Sequence, residues 1–156
     1  MMIRRWFLLL GCSLAALTAC DNSLSFSEIP EIRFVAQSPD TVREYSPVDI
    51  TIHFQDGDGD LGAANANDTT FNFFAIDSRI TEPINGYDGV IKATMPNLTP
   101  ESRRPSIQGE IKIRLESMLR IDPESPGEVV RFRVYIVDRA GHKSNEVETD
   151  SILVIP

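Results

Sequence analysis

VDITIHFQDGDGDLG, residues 48–62, carries two patterns back to back. Ile50, Ile52 and Phe54 alternate with Asp49, Thr51 and His53, a period of two that places successive side chains on opposite faces of a sheet. The alternation then gives way to Asp56, Asp58 and Asp60, separated by Gly57 and Gly59. The first half decides the class of fold. The second half raises the question of a site.

Working outward, the same period recurs along the chain. Ile32, Phe34 and Ala36 alternate near the start, and Ile111, Ile113 and Leu115 alternate with Glu110, Lys112, Arg114 and Glu116. Val130, Phe132, Val134 and Ile136 do so against Arg131, Arg133 and Tyr135. TTFNFFAI (69–76) is a Phe-rich run of ambiguous facing, VIKATM (90–95) is weaker, and VETDSILVI (147–155) closes the series. Ser38-Pro39-Asp40, Asn85-Gly86, Asp122-Pro123 and Pro126-Gly127 punctuate these runs, as turn chemistry requires. No long segment has a sustained 3.6-residue apolar period, although SMLRI (117–121) could form one helical turn in a connection. The expectation is an all-β fold: a seven-stranded immunoglobulin-like sandwich, its runs lettered A to G in chain order, occupying residues 30–156 as one domain. An open Greek-key barrel has the same periodicity and stays open as the rival.

The N-terminus reads differently. MMIRRWFLLLGCSLAALTAC has a positive start at Arg4 and Arg5 and an apolar run from Trp6 to Leu17, the pattern of a secretory signal. That run is shorter than the roughly 20 residues a spanning helix needs. Leu17-Thr18-Ala19-Cys20 resembles the lipobox of bacterial lipoproteins. The resemblance implies removal of residues 1–19 and acylation of Cys20, with 20–29 as an acylated, Ser-rich tether. Leu9-Leu10-Gly11-Cys12 is a rival lipobox that would leave a very short apolar region. An ordinary cleavage site with Cys20 incidental, and twin-arginine export through Arg4-Arg5-Trp6-Phe7-Leu8, are the other readings.

Cleavage before Cys20 would leave 137 residues, enough for one core. Cys12 and Cys20 are the sole cysteines, so that body has no internal disulfide and depends on packing, or on an ion, for stability. Losing Arg4 and Arg5 takes the formal net charge from −8 to −10. Such a balance argues against nucleic acid and against electrostatic adhesion to anionic lipid, so acyl chains would supply the membrane attachment.

The acidic run has the donors of a hard-cation site. Calcium takes six to eight oxygens, and carboxylates two residues apart on a curled backbone converge on one ion. Counted from Asp56, however, an EF-hand would need Gly at position 6 and Glu at position 12, where this chain has Leu61 and Asn67. On a sandwich the run is the B–C loop, and the F–G loop, VDRAGHKSNE (137–146), lies at the same end. Asp138 ends run F in phase with Val134 and Ile136. The expected metal ligands are therefore Asp56, Asp58, Asp60 and Asp138, with Asn145 nearby, and calcium is favoured over zinc by the oxygen donors. The alternative is an exposed acidic turn in which Asp138 bonds amides of its own loop.

FRVYIVDRAGHKSNEVET resembles the last strands of bacterial Ig-like surface domains, whose F–G turn often reads D-R-A-G-N-x-S-N; here His142 replaces the Asn. The D-x-D loop resembles the B–C loop of cadherin-like domains, which coordinates calcium with the preceding linker, although the cadherin linker motif is absent. What these resemblances imply is a small Ig-like lipoprotein of the bacterial cell envelope. It would be lipid-anchored at the outer membrane, periplasmic or surface-exposed, and act as a non-enzymatic binding or structural module for an envelope protein or glycan. Asp21 after the acylated cysteine would instead retain it in the inner membrane under enteric-type sorting. Calcium at the loop end would stiffen the join between anchor and domain. No nucleophile elbow, P-loop or H-E-x-x-H occurs, and His53 and His142 stand alone in sequence. The alternative function is a carbohydrate-binding accessory protein or weak glycan hydrolase, with Phe71, Phe73 and Phe74 as a sugar-stacking face.

Overall fold

The computed structural model describes residues 25–99 and 106–156. Cys20 and the expected signal peptide lie outside the described residues. All regular structure within them is β: β1 (Glu31–Ser38), β2 (Thr41–Arg43), β3 (Val48–Asp56), β4 (Phe73–Asp77) and β5 (Val90–Ala93) come first. β6 (Ile107–Leu115), β7 (Glu128–Val130), β8 (Phe132–Ile136), β9 (Val147–Glu148) and β10 (Ile152–Ile155) complete the order.

These strands form three sheets, ordered β1-β3-β6, β2-β10-β7 and β5-β4-β8-β9. All pairings are antiparallel except β2 with β10, where Val42 stands beside Val154 in parallel register. The last two sheets meet end to end, since Arg131 alone separates β7 from β8. Thr149 stitches the parallel break between β9 and β10: its N–H donates to the Phe132 carbonyl at 3.0 Å, and its hydroxyl accepts from the Phe132 N–H at 3.0 Å.

One apolar core joins all three sheets. Ile50, Ile52, Ile113 and Leu115 meet Phe73, Val134 and Ile136, with Val130, Ile152 and Val154 in the same cluster. Each such side chain contributes about 1.5–3 kcal/mol on burial. The arrangement is all-β and consistent with a β-sandwich.

Every periodic run coincides with strand, and the differences have local causes. β2 was not legible as a run: three residues, with Val42 buried between two exposed neighbours, are too few to show a period. The Phe-rich run enters its sheet only at Phe73, and Asn72 before it spends its Oδ1 on the Met95 N–H at 2.6 Å. Residues 117–121 form no helical turn, because other partners hold their backbone. Met118 N–H donates to the Ser46 carbonyl at 3.0 Å, and its carbonyl accepts from Tyr45 N–H at 2.8 Å. Glu128 accepts from the N–H groups of Ile121 and Asp122 at 2.9 and 2.7 Å. The Met118 side chain is thereby drawn into the core. The Asn85-Gly86 turn forms as expected, both residues taking positive φ (50° and 85°) between the bridged Ile84 and Tyr87.

Candidate functional site: an acidic cluster at one end of the sheets

β3 is buried at every second residue: Val48, Ile50, Ile52, Phe54 and then Asp56. The pleat that sends four apolar side chains into the core thus sends a carboxylate after them. β8 does the same with Phe132, Val134 and Ile136, and Asp138 follows in phase two residues past the last of them. Both inner rows end in an aspartate at the same end of the molecule.

The loop after β3 is curled by Gly59 and Gly62, with φ of 67° and 82°. Gly62 also has no room for a Cβ, which would collide with the Pro96 carbonyl. Within the curl Asp60 N–H donates to Asp56 Oδ2 at 2.9 Å. The Thr99 hydroxyl donates to the Gly59 carbonyl. Arg139 clamps the loop to the β8–β9 turn: its N–H donates to the Asp60 carbonyl at 3.2 Å, and its guanidinium donates to the carbonyls of Leu61 and Gly62 at 3.3 and 3.4 Å.

Carboxylate oxygens of Asp56, Asp60 and Asp138 lie within 4.8 Å of one another, and all three residues are buried. Asp58 sits beside this triad, half-buried, rather than within it. Asp56, Asp58 and Asp60 each hold one oxygen, Oδ1, buried and without a hydrogen-bond partner among the described residues. Asp138 is differently placed. Its Oδ1 accepts from the His142 N–H at 2.7 Å and its Oδ2 meets His142 Nδ1 at 2.9 Å. It does bond within its own turn, and it is also a member of the triad.

The electrostatics follow from the crowding. Burial first, then the charges of Asp58, Asp60 and Asp138, push the Asp56 carboxyl up to about 6, against the Asp60 N–H that favours its ionised form. Asp60 is also raised, by burial and by the Asp138 and Asp58 charges, with Arg139 as partial offset. Donation from the His142 ring N–H to the Asp138 carboxylate, and the charge of that carboxylate, raise the pKa of His142. Buried carboxylates with unpartnered oxygens are costly unless a cation or protons neutralise them. Convergent hard oxygens are the donor set that calcium prefers.

Of the four expected ligands, three are brought together and Asp58 is placed alongside. Asn145 does not join them. Its Oδ1 accepts from Ile32 N–H at 2.8 Å and its Nδ2 donates to the Ile32 carbonyl at 2.9 Å, tying the turn to β1. His53 sits half-buried within β3, paired in register with Arg33 and Glu110. Of the three phenylalanines, Phe73 is core, Phe74 stacks on Tyr135 with centroids 4.8 Å apart, and Phe71 is exposed. Two features had no signal in sequence. One is the Arg139 clamp. The other is the docking of the N-terminal segment, where Gly57 N–H donates to the Ser27 carbonyl at 2.8 Å, between two of the acidic residues. No family model matches this chain, and no curated protein or solved structure matches it.

Proposed function

We propose that the chain is an acyl-anchored lipoprotein of the bacterial envelope. Its immunoglobulin-like sandwich would bind calcium at the acidic end and act as a non-enzymatic binding or structural module. The observation that carries the calcium reading is the set of buried, unpartnered oxygens on Asp56, Asp58 and Asp60 beside Asp138. A divalent cation there would satisfy them and offset the mutual repulsion that raises Asp56 and Asp60. The Ig-like reading draws support from β2 lying parallel to β10 while β1 pairs with β3 in a different sheet, so one N-terminal stretch serves two of the three sheets. Joining β1 with β2, β7 with β8 and β9 with β10 gives back the seven strands of that fold.

A mechanical role follows from the position of the site. The segment leading from the proposed anchor at Cys20 meets the domain at Gly57, inside the acidic loop. An ion fixing that loop would therefore stiffen the join between lipid tether and domain. The site is proposed as structural, and the partner would be an envelope protein or glycan.

Thermal unfolding of the protein in calcium and in chelator tests the ion. Binding only to the folded state adds about 2.7 kcal/mol when calcium is at one hundred times its dissociation constant, so the midpoint should climb with concentration. A midpoint indifferent to millimolar calcium would end the proposal. Fractionation of a Cys20→Ser variant tests the anchor, since release from membranes is expected and continued membrane attachment would refute acylation at this residue.

A further inference from the structure

A cleft of about 440 Å³ opens between the 62–72 segment and the β8–β9 turn. Its volume falls in the range of small-molecule sites, roughly 300–1,000 Å³. Small residues keep it open, with Gly62 and Ala64 on one wall and Ala140 and Gly141 on the other. Phe71 lines it and is 54% exposed, although the same run buries Phe73 completely. An aromatic ring half in water at the lip of a cleft is a surface for stacking.

The polar lining is short. Thr70 offers a hydroxyl, and Asn72 has an amide nitrogen without a partner among the described residues, its oxygen being taken by Met95. Asp68 and Asp138 contribute two carboxylates and Arg139 one guanidinium, the Asp138 oxygens being held by His142. Both walls are braced: Asp68 accepts from the N–H groups of Ala64 and Thr70 at 2.8 and 2.9 Å, and Arg139 holds the carbonyls of Leu61 and Gly62. The excess of carboxylate over guanidinium disfavours an anionic ligand, and both carboxylates already accept hydrogen bonds from the walls. An exposed ring beside amide and hydroxyl groups matches a neutral ligand with one apolar face and a rim of hydroxyls.

We infer that this cleft is a binding site for a neutral pyranose sugar, with Phe71 as its stacking platform and Thr70 and Asn72 as hydrogen-bonding partners. The site rests on Phe71, Thr70 and Asn72 and not on the ion, although Asp138 borders both, and it gives the chain a glycan-binding activity in addition to the structural role of the acidic cluster.

Saturation-transfer NMR on the full-length chain in a sugar-free detergent tests it. The probes are millimolar glucose, galactose, mannose and N-acetylglucosamine, with the β-1,4-linked disaccharides of glucose and of N-acetylglucosamine. Saturation of ring protons is expected for at least one of them. Phe71→Ala should weaken it about tenfold, the scale of one lost stacking contact, and Phe71→Tyr should retain it. Ala140→Leu should remove it by filling the cleft while leaving the unfolding midpoint in place. Absence of saturation across the panel, or equal saturation in Phe71→Ala, overturns the inference. Calcium dependence of the midpoint is read separately. A midpoint blind to calcium with Phe71-dependent sugar binding sinks the ion alone, and the reverse pattern sinks the sugar site alone.

Discussion

Asp56→Asn should stabilise the protein in chelator and abolish its response to calcium. Asp56 Oδ2 accepts from Asp60 N–H at 2.9 Å, and asparagine keeps that acceptor. Its amide nitrogen takes the place of Oδ1, which is buried without a partner among the described residues, as are the Oδ1 atoms of Asp58 and Asp60 beside it. A repelling oxygen is thereby exchanged for a donor. The magnitude follows from linkage. Folding moves the Asp56 carboxyl from 3.8 to about 6, so between those values the folded chain holds a proton that the unfolded chain has lost. Stability therefore falls as pH rises through this window, by up to about 3 kcal/mol in full and by less where solvent screens the loop. At pH 7 in chelator the variant should escape that loss, raising the midpoint by roughly 5–10 °C at about 3–5 °C per kcal/mol. Near pH 4 the two proteins should converge, because wild-type Asp56 is then protonated. In saturating calcium the order should reverse, since wild type gains the binding energy and the variant has lost a ligand. Calorimetry at both pH values, with and without calcium, reads all of this. A variant less stable than wild type in chelator at pH 7, or a difference that does not change with pH, would refute the reasoning.

Three further perturbations probe how the fold is held. Gly57→Ala would place a methyl group 2.7 Å from the Ser27 carbonyl oxygen, so the 25–29 segment should detach at a cost of about 1–3 kcal/mol, with faster exchange of the amide at position 57 as the readout. Asn145→Ala strands both backbone groups of the buried Ile32 and should lower stability by about 1–3 kcal/mol in denaturant titration, whereas an unchanged midpoint would mean that β1 is held without it. Arg79→Ala leaves Asp77, 2% exposed, and Glu128 without their cation at 2.7 and 2.8 Å. Losing one partner of a buried ion pair costs about 3–5 kcal/mol, and a loss below 1 kcal/mol on chemical denaturation would show that the network is solvent-screened.

Period-two alternation made the strands legible because it reports burial directly, and β3 obeys it over its whole length. The same period foretold Asp138, whose phase with Val134 and Ile136 is a local property of the chain. Short or interrupted pieces escaped it. β2 is too brief to show a pattern, and the partners of Met118, which are Ser46 and Tyr45, are distant residues that no local window contains. The separation of Phe71 from Phe73 was equally hidden. Both have the same parity in one run, yet Phe73 meets the core and Phe71 lies in the lip of the cleft, a difference set by what each packs against.

By itself the sequence determined an all-β chain whose acidic loop follows directly on a buried strand, since alternation, turn residues and charge are written residue by residue. Tertiary structure alone decided which carboxylates meet. Asp56 and Asp138 are neighbours because two strands far apart in the chain share one core, and inner rows that end together bring their last residues together. It also decided that Asp58 stands aside, that Asn145 serves Ile32, and that Phe71 is left at the lip of a cleft. Side-chain facing is a local property, whereas proximity belongs to the packed whole.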